Sequence, residues 1–437
     1  MADRLAAALD ALSARRDLLG WTATHRRVRG EQLFSDRRRV EAFRSVATDE
    51  ITIDVLCASK GVPDRCGSAR AQVSDGQGAD AAIDFAVGAA QRTQNPLYEL
   101  PAAAALPEVP TADPEIVEDP AGVVAGLHGR LMRATRARSS ARLTLAEWFA
   151  DHEETRLVNS RGIDSSQAHT QLMLEWIALA GEGDGRVDTT IDLSRRRRSD
   201  LEIESVWDTV AGQTVDRERS GPAPSYQGPV VLRHAALETF LNSGPIATLA
   251  SGKSRFGRIS TWEPGHSVFR GEMRGDPLTI WATRLIPYGD HAGRFDGEGL
   301  PGQRTLIIQD GVFQTYCASQ RYATYLGVPA TGGRADLELP PGATPAADLL
   351  AEPHVEIVSW SWFHPEAATG DFASEIRLGY VVNGSGRRPF SGGLLVGNVL
   401  DALADVRWSS EAGFYGGYLG PTTARFASLV VAPSRDD

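Results

Sequence analysis

The stretch from Thr369 to Val396, TGDFASEIRLGYVVNGSGRRPFSGGLLV, constrains the fold of this chain more than any other. Thr369-Gly370-Asp371 predicts a tight turn, because Gly takes positive φ without steric cost and Asp can hydrogen-bond its own backbone. Residues 376–380 alternate apolar with polar or small side chains, as a half-buried strand does. Asn383-Gly384 predicts a two-residue hairpin turn. The stretch therefore predicts a β-meander.

A helix is predicted directly after the meander. Residues 389–396 continue the extended chain, and Asn398 then stands where a helix N-cap belongs. Apolar residues follow at helical spacing, so we expect a helix over 399–407. A second helix is predicted over 234–248, after a strand at 230–232.

Several blocks of the C-terminal half resemble one known family in their order and spacing. TGDF, the hairpin and GNVLDAL at 397–403 are preceded by PVVLRHAALETFL at 229–241 and by a block at 294–327 that begins RFDGEG and ends YATYLG. Together they resemble the C-terminal domain of the TldD/PmbA family, from about residue 229 to the end. The resemblance implies an α+β chain, with an N-terminal mixed α/β domain and a strand-rich C-terminal domain. It also implies a cytoplasmic relative of the TldD and TldE (PmbA) subunits, which together form a peptidase.

The chain lacks the zinc motif of the family's catalytic subunits. TldD-type chains carry H-E-x-x-x-H on a helix, which supplies two zinc-binding histidines and a glutamate that activates water. The matching residues 234–240 are HAALETF, with one histidine, no glutamate after it and no second histidine. The family's further cysteine ligand would fall within 414–418, and no cysteine follows Cys317. The resemblance therefore implies a zinc-free, TldE-like subunit with no metal or catalytic residue of its own.

This assignment implies a partner and a function. We expect a zinc-bearing TldD-like chain to pair with this one and to carry the zinc, and we expect the pair to cleave or trim peptides. The family's roles include degrading small unfolded peptides and removing leaders from peptide antibiotics, so peptide maturation is one expected pathway. Two alternatives stay open, a divergent enzyme with its own metal site and a non-catalytic scaffold.

Two short motifs hold the predicted substrate-binding or interface residues. The resemblance points to the RFDGEG loop and the TGD turn, that is, to Arg294, Phe295, Asp296, Glu298, Thr369, Gly370 and Asp371. Asp296 and Glu298 are also spaced like paired carboxylates for acid–base chemistry. Because the resembled family carries this block with and without zinc, a structural role for that pair is the preferred interpretation.

Two groups of histidines and carboxylates could bind a metal outside the family motif. The first lies on two predicted strands, and the second flanks the aromatic run WSWF at 360–363. A solvated strand face, or the two ends of a buried strand, would give the same patterns. The members are His152, Glu153 and His169 in the first group, and His354, His364 and Glu366 in the second.

A run of four arginines, Arg195–Arg198, could dock an acidic peptide or a nucleic-acid phosphate. An exposed strand or loop is the simpler interpretation, because Asp192 and Asp200 flank the run in an acidic protein.

The 437 residues include 56 acidic and 45 basic side chains, a formal net charge of −11. That balance argues against nucleic acid as the main partner, since phosphate binding needs a basic face.

Composition also argues against a disulfide-rich protein and against a membrane protein. Three cysteines without C-x-x-C spacing predict neither a disulfide framework nor a zinc ribbon. The apolar run Leu5–Leu9 is too short for the core of a signal peptide, and no uncharged stretch approaches the ~20 residues needed to span a bilayer. We therefore expect a cytoplasmic protein without a membrane partner.

Proline and glycine clusters predict the domain limits. Five prolines within 101–120 indicate a linker or surface excursion, and SGPAP at 220–224 indicates a boundary. The predicted divisions are an N-terminal α+β region at 1–100 with several short strands, the linker at 101–120, a central region at 121–220 that opens with a helix to about Arg138, and the C-terminal domain at 229–437.

Overall fold

The N-terminal half of the chain is built on one antiparallel sheet of seven strands, ordered β4-β3-β2-β1-β5-β6-β7. The computed structural model describes residues 4–433 except Pro63, Asp75, Gln77, Arg138 and Ser139. The strands are β1 (Leu18–Asp36), β2 (Arg39–Ala58), β3 (Arg65–Gln72), β4 (Asn95–Pro96), β5 (Arg142–Asn159), β6 (Asp164–Ala180) and β7 (Val187–Arg195).

Two strands of this sheet are far longer than the sequence pattern predicted. Instead of several short strands, β1 and β2 run for 19 and 20 residues. They form one hairpin, paired from Leu18 and Cys57 to Asp36 and Arg39. The outer part of β2 is mostly exposed, so its residues show no alternation between buried and polar positions. The prediction of short strands is therefore wrong, because alternation marks only the half-buried part of a strand.

Five α-helices pack on this sheet in the described part of the N-terminal half. The first two pack around Ile53 and Ile83 near β1–β3. The other three pack on β5 and β6, where the rings of Trp148 and Trp176 lie 5.5 Å apart between centroids. The helices are α1 (Arg4–Ala14), α2 (Gly78–Ala90), α3 (Pro114–Glu118), α4 (Pro120–Ala137) and α5 (Ile203–Glu218). The predicted end of α4 at Arg138 lies outside the described residues.

The predicted regions 1–100 and 121–220 share this one sheet, since β1 pairs with β2 on one side and with β5 on the other. The proline-rich segment between them is hydrogen-bonded to both halves of the chain. The Asn159 amide donates to the carbonyl of Pro101 at 2.8 Å, and the Tyr288 backbone N–H donates to the carbonyl of Pro110 at 2.8 Å. The domain limits themselves stay a prediction.

The C-terminal half combines a closed ring of strands with a second sheet. In the ring, each strand pairs with the next in the order β9-β14-β15-β17-β21, and β21 pairs with β9 to close it. The second sheet has the order β12-β11-β10-β13-β20-β19. The strands are β8 (Gly221–Pro222), β9 (Tyr226–Arg233), β10 (Ile280–Thr283), β11 (Arg304–Gln309), β12 (Val312–Phe313), β13 (Asp336–Glu338), β14 (His354–Trp360), β15 (Asp371–Asn383), β16 (Gly386–Ser391), β17 (Leu394–Asn398), β18 (Val406–Trp408), β19 (Ala412–Phe414), β20 (Tyr418–Pro421) and β21 (Thr423–Ala432). The predicted α+β class is confirmed.

Short helices lie between these strands: α6 (His234–Asn242), α7 (Pro245–Leu249), α8 (Gly252–Phe256), α9 (Gln320–Leu326), α10 (Ala346–Leu349) and α11 (Val399–Leu403). The predicted helix over 234–248 is split, because Ser243 and Gly244 interrupt it and Pro245 starts α7. Helix α11 ends before residue 407, because β18 there pairs with β21. None of the helices in the described ranges has the length and apolar character needed to cross a membrane.

The meander forms as predicted, with one shift of register. Asn383 pairs with Gly386, so the hairpin turn is Gly384-Ser385 and not Asn383-Gly384. The asparagine side chain accepts a hydrogen bond from the Ser385 backbone N–H at 3.0 Å. Asn383 therefore starts the turn, and its side chain stabilises it.

Candidate functional site

Helix α6 turns an apolar face to the core and a polar face to a cleft. Leu237 and Phe240 are fully buried. His234, Glu238 and Asn242 recur every four residues and so share one face. Glu238 and Asn242 line the cleft, and the Asn242 Nδ2 donates to Glu238 Oε1 at 3.4 Å. The helix therefore presents a carboxyl and an amide side by side.

His234 begins α6 in a left-handed backbone conformation, with φ of 49°. Such a conformation costs a non-glycine residue on the order of 1 kcal/mol or more. Its backbone N–H donates to the Thr422 carbonyl at 3.0 Å, and its Nδ1 lies 2.7 Å from the Tyr415 hydroxyl. Tyr415 in turn stacks on Tyr418. Burial lowers the pKa of His234, so the imidazole is neutral at neutral pH.

Two carboxyl groups in the cleft have raised pKa values. Burial raises the pKa of Glu238 to about 7; Arg195 opposes the shift and Asp290 adds to it. Burial also raises the pKa of Asp290, with a further contribution from the charge of Asp336. Perturbed carboxyls in a cleft are typical of functional sites. Glu238 is therefore a group that changes charge close to neutral pH.

His291 lines the cleft and is held from behind by the buried Asp336. Asp336 is fully buried, and its Oδ1 accepts a hydrogen bond from the His291 backbone N–H at 2.9 Å. The same oxygen lies 2.9 Å from His291 Nδ1. Gly289 permits this approach, because a Cβ there would lie 2.2 Å from Asp336 Oδ2. The contact fixes the orientation of the His291 ring in the wall.

The arginine run holds the N-terminal half against this wall. Arg196 is buried, and its guanidinium donates to the carbonyls of Asp290 at 2.6 Å and Ala292 at 2.7 Å. Neither interpretation of Arg195–Arg198, as an acidic-ligand dock or as an exposed loop, describes Arg196. Its charge is used inside the chain, where it joins β7 to the segment that carries His291.

The cleft has a volume of about 630 Å³, which is the size of a site for a small molecule or a few peptide residues. It opens between α6–α9 and the second sheet. Its apolar wall includes Ala247, Ile307 and Leu337. Its polar lining includes Glu238, Asn242, Lys253, Asp290, His291 and Arg334. The arrangement can bind a ligand that is partly apolar and carries groups that hydrogen-bond to carboxyls.

The predicted residues Asp296 and Glu298 shape their own loop. Asp296 Oδ1 accepts from the backbone N–H groups of Glu298 at 2.9 Å and Leu300 at 3.0 Å, and its Oδ2 accepts from Gly333 at 3.2 Å. Glu298 Oε2 accepts from the Gln320 backbone N–H at 2.6 Å, at the start of α9. Both carboxylates therefore satisfy backbone donors, in keeping with the structural role preferred from the sequence.

Arg294 and Phe295 join the same loop to the N-terminal half. Arg294 donates to the Glu108 carboxylate at 2.9 Å and to the Ser166 carbonyl at 3.1 Å. Phe295 is buried against Leu157 and Ile163. These residues lie at a contact between two parts of one chain. A role toward a substrate or a second chain stays a proposal.

The predicted residues Thr369, Gly370 and Asp371 form a clasp with Asn398. The Asn398 Nδ2 donates to the Thr369 carbonyl and to Asp371 Oδ1, each at 2.8 Å. Its Oδ1 accepts from the Leu400 N–H at 2.9 Å and so caps α11. Gly370 has φ of 82°, as the turn requires. None of the seven predicted residues lines the cleft of α6.

In the first alternative metal group, Glu153 pairs with His169 across β5 and β6, whereas His152 pairs with Thr170. The Arg26 Nε, however, donates to Glu153 Oε2 at 2.7 Å. Burial lowers the pKa of His169 to about 4, so it is neutral at neutral pH. The carboxylate is thus paired with an arginine.

The second alternative group contains a buried histidine. His354 is 2% exposed, and its Nδ1 lies 2.8 Å from the Glu352 carbonyl. His364 instead stacks on Trp362, which is 42% exposed. The described residues contain no cluster of three or more His, Cys, Asp or Glu side chains placed to hold one metal ion.

The side chains of α6 do not fit the zinc site of the resembled family. That site takes two histidines from the helix and a glutamate after the first of them. Here Ala235 follows His234, and Thr239 stands five residues on, where the second histidine would be. The remaining histidine has its Nδ1 beside the Tyr415 hydroxyl.

Five residues on or around this helix were not predicted from the sequence: Glu238, Asp290, His291, Asp336 and Tyr415. Glu238 had a usable signal, because it lies one turn after His234 on the polar face of a predicted helix. The contact between His291 and Asp336 had none, since 45 residues separate them. Only the pairing of the second sheet brings those two together.

Comparison with known proteins matches residues 225–433 to the model of the PmbA/TldA metallopeptidase C-terminal domain. One curated relative, an uncharacterized protein of Methanocaldococcus jannaschii, is 23% identical over 263 residues. That match covers 57% of this chain and 60% of the relative, which is less than two thirds of the relative's length.

Solved structures resemble nearly the whole chain. TldE from Thermococcus kodakarensis superposes with a TM-score of 0.81 at 16% identity, covering 98% of this chain and 100% of that one. A protein of Thermotoga maritima, described as a candidate modulator of DNA gyrase, gives 0.79 at 18% identity and covers 94% and 96%. A protein of Bacteroides thetaiotaomicron with the same description gives 0.81 at 15% identity and covers 98% and 97%. At these identities the similarity shows a shared fold.

Proposed function

We propose that this chain, whose residues 225–433 match the PmbA/TldA C-terminal domain, is a zinc-free, TldE-like subunit of the TldD/PmbA family. It pairs in the cytoplasm with a zinc-bearing, TldD-like chain, and the pair cleaves or trims peptides. Maturation of peptide antibiotics is one pathway that such a pair would serve.

One observation carries the proposal. His234 is the single histidine of α6, and the Tyr415 hydroxyl lies 2.7 Å from its Nδ1. The helix thus lacks the groups that would bind zinc and activate water. The helix nevertheless lines a cleft of about 630 Å³. A chain that keeps a cleft but lacks these groups is suited to binding and positioning a substrate, and positioning can contribute several kcal/mol to lowering a barrier.

In this proposal, the partner activates water and this chain binds the peptide. Zinc bound in the partner supplies the activated water. This chain supplies its cleft, and its strand-rich C-terminal half supplies strand edges that can hold an extended peptide through backbone hydrogen bonds. Arg294, Asp296 and the clasp at residues 369–371 act indirectly, by keeping the parts of this chain in one arrangement.

The proposal is tested by co-expressing a tag-bearing form of this chain with a zinc-bearing homologue from the same genome. The expected result is a complex of one copy of each chain, with zinc in proportion to the partner. This chain purified alone should retain no zinc after dialysis. One zinc per chain in that sample would instead favour the divergent enzyme with its own metal site.

A further inference from the structure

Aromatic rings lie beside the cleft, on α8 and α9. The Phe256 ring centroid lies 4.8 Å from that of Tyr325 and 6.0 Å from that of Tyr322. The two tyrosine rings are nearly perpendicular, with centroids 5.9 Å apart. We call Phe256, Tyr322 and Tyr325 the aromatic ledge. Phe256 is 42% exposed, so the ledge keeps an apolar surface open to solvent.

The backbone beneath the ledge is fixed by close packing. Gly252 starts α8 against Ala318, and a Cβ at Gly252 would lie 2.8 Å from the Ala318 Cβ. The backbone N–H of Gly252 donates to the Cys317 carbonyl at 2.9 Å. Helices α8 and α9 are therefore held together at their first turns. Rings on such a support lose little freedom when a ligand binds.

Arg321 holds the ledge from its other side. Its Nε donates to the Tyr325 hydroxyl at 3.1 Å. Its guanidinium carbon lies 5.6 Å from the Tyr322 ring centroid and 5.7 Å from that of Tyr325. The Tyr98 ring packs edge-on against Tyr325 from the N-terminal half. Tyrosine and arginine are the residue types that most often dominate binding energy in protein interfaces.

The ledge is continuous with the cleft. Tyr322 lines the cleft, and so do Lys253 and Ser254 of α8. A volume of about 630 Å³ holds only a few residues, so a longer peptide has to leave the cleft over its rim. On the side of α8 and α9, that rim is the aromatic ledge. The first side chain outside the cleft on this side would therefore meet exposed rings.

We propose that the aromatic ledge is a specificity subsite for an apolar or aromatic side chain of an extended peptide. The neighbouring residues of that peptide occupy the cleft. The inference rests on the proposed function in taking a peptide as the ligand. Ring contacts of this kind contribute about 0.5–1.5 kcal/mol beyond area burial. A single aromatic residue in register with the ledge should therefore improve binding about two- to twelvefold over alanine.

The test uses the complex of this chain with its zinc-bearing partner and a set of peptides of one length. Each peptide carries a single Phe or a single Ala at one scanned position. We expect kcat/KM for Phe to exceed that for Ala about two- to twelvefold at one position only. Phe256→Ser and Tyr322→Ser should each reduce that ratio toward one. Phe256→Tyr and Tyr322→Phe should keep it, because each retains a ring.

Phe85→Ser is the matched control, since Phe85 is 70% exposed on α2, away from the ledge. It should leave the ratio unchanged. A wild-type ratio near one at every position would overturn the proposal. An unchanged ratio in both serine variants would also overturn it. If those variants keep the ratio but lose the partner chain, the ledge is a contact between subunits and not a subsite.

Failure of the ledge and failure of the proposed function are separable by a binding measurement on this chain alone. Fluorescence anisotropy with a labelled Phe peptide and its Ala counterpart needs no catalysis. If the pair hydrolyses nothing, the peptidase role fails. A Phe preference in binding that Phe256→Ser removes would still support the ledge, and the absence of that preference would overturn it.

Discussion

The hydroxyl of Tyr415 lies 2.7 Å from Nδ1 of His234, across 181 residues of sequence. The contact holds a histidine with φ of 49° at the first residue of α6. It also occupies one ring nitrogen of the single histidine of α6. The polar face of α6 therefore carries a histidine in contact with Tyr415 at its first residue and the cleft carboxyl of Glu238 one turn later.

The Tyr415–His234 contact should contribute to stability. Tyr415→Phe removes one hydrogen bond and keeps the ring, so we expect a loss of about 1 kcal/mol in the free energy of unfolding. Urea denaturation followed by fluorescence measures it. Tyr322→Phe is the matched control, because its hydroxyl makes no hydrogen bond in the described part of the chain. Equal effects of the two substitutions would contradict the assigned contact.

Glu238 should make stability depend on pH near neutrality. Its folded pKa of about 7 lies above the ordinary value of 4.5. The folded state therefore binds the proton more tightly, and the stability contributed is fully present below pH 4.5 and lost as pH rises through 7. Glu238→Gln should flatten the curve of unfolding free energy between pH 5 and 8, by about 1–2 kcal/mol after allowing for solvent screening. Thermal melts across that range measure the slope, and an unchanged slope would refute the assignment.

Arg196 should be far more important to stability than its neighbour Arg198. Arg196→Ala removes a buried charge-assisted donor to two carbonyls, which should cost about 2–4 kcal/mol. Arg198→Ala breaks an exposed ion pair with Glu115, which should cost less than about 1 kcal/mol. Denaturant titration of both variants measures the difference. Similar losses would mean that the contact between β7 and the cleft wall is not as described.

Asn398 should stabilise the meander through its clasp. Asn398→Ala removes two donor contacts to Thr369 and Asp371 together with the cap of α11. We expect a cost of about 2–3 kcal/mol. Asn383→Ala, at the exposed hairpin turn, is the matched control and should cost about 1 kcal/mol or less. If the clasp is purely structural, peptidase activity of the pair should fall only as far as the folded fraction falls.

Local chemistry in the sequence predicted much of the C-terminal half. The N-cap at Asn398 and the turn at Gly370 depend on residues next to them, and both form. The lengths of β1 and β2 do not depend on local alternation, and the sequence pattern missed them. The outer part of β2 is exposed, and the pairing of β1 with β2 and β5 sets the extent of the two strands.

The site was less predictable than the fold, for a physical reason. The residue types at 234–240 could be read from the sequence, including the single histidine of α6. The cleft needs Asp290 and His291 from one loop and Asp336 from a strand 45 residues later. Buried Arg196 looked like part of a solvated basic run, because sequence shows the charge but not the two carbonyls that accept from it.

A mixed-chain peptidase assay decides whether this chain supplies substrate binding to a zinc-bearing partner without binding zinc itself. The purified chains are assayed separately and together on unstructured peptides, with zinc measured in each sample. We predict hydrolysis by the pair, none by this chain alone and little by the zinc-bearing chain alone. Hydrolysis by this chain alone, or full activity of the zinc-bearing chain without it, would rule out this division of roles between the two chains.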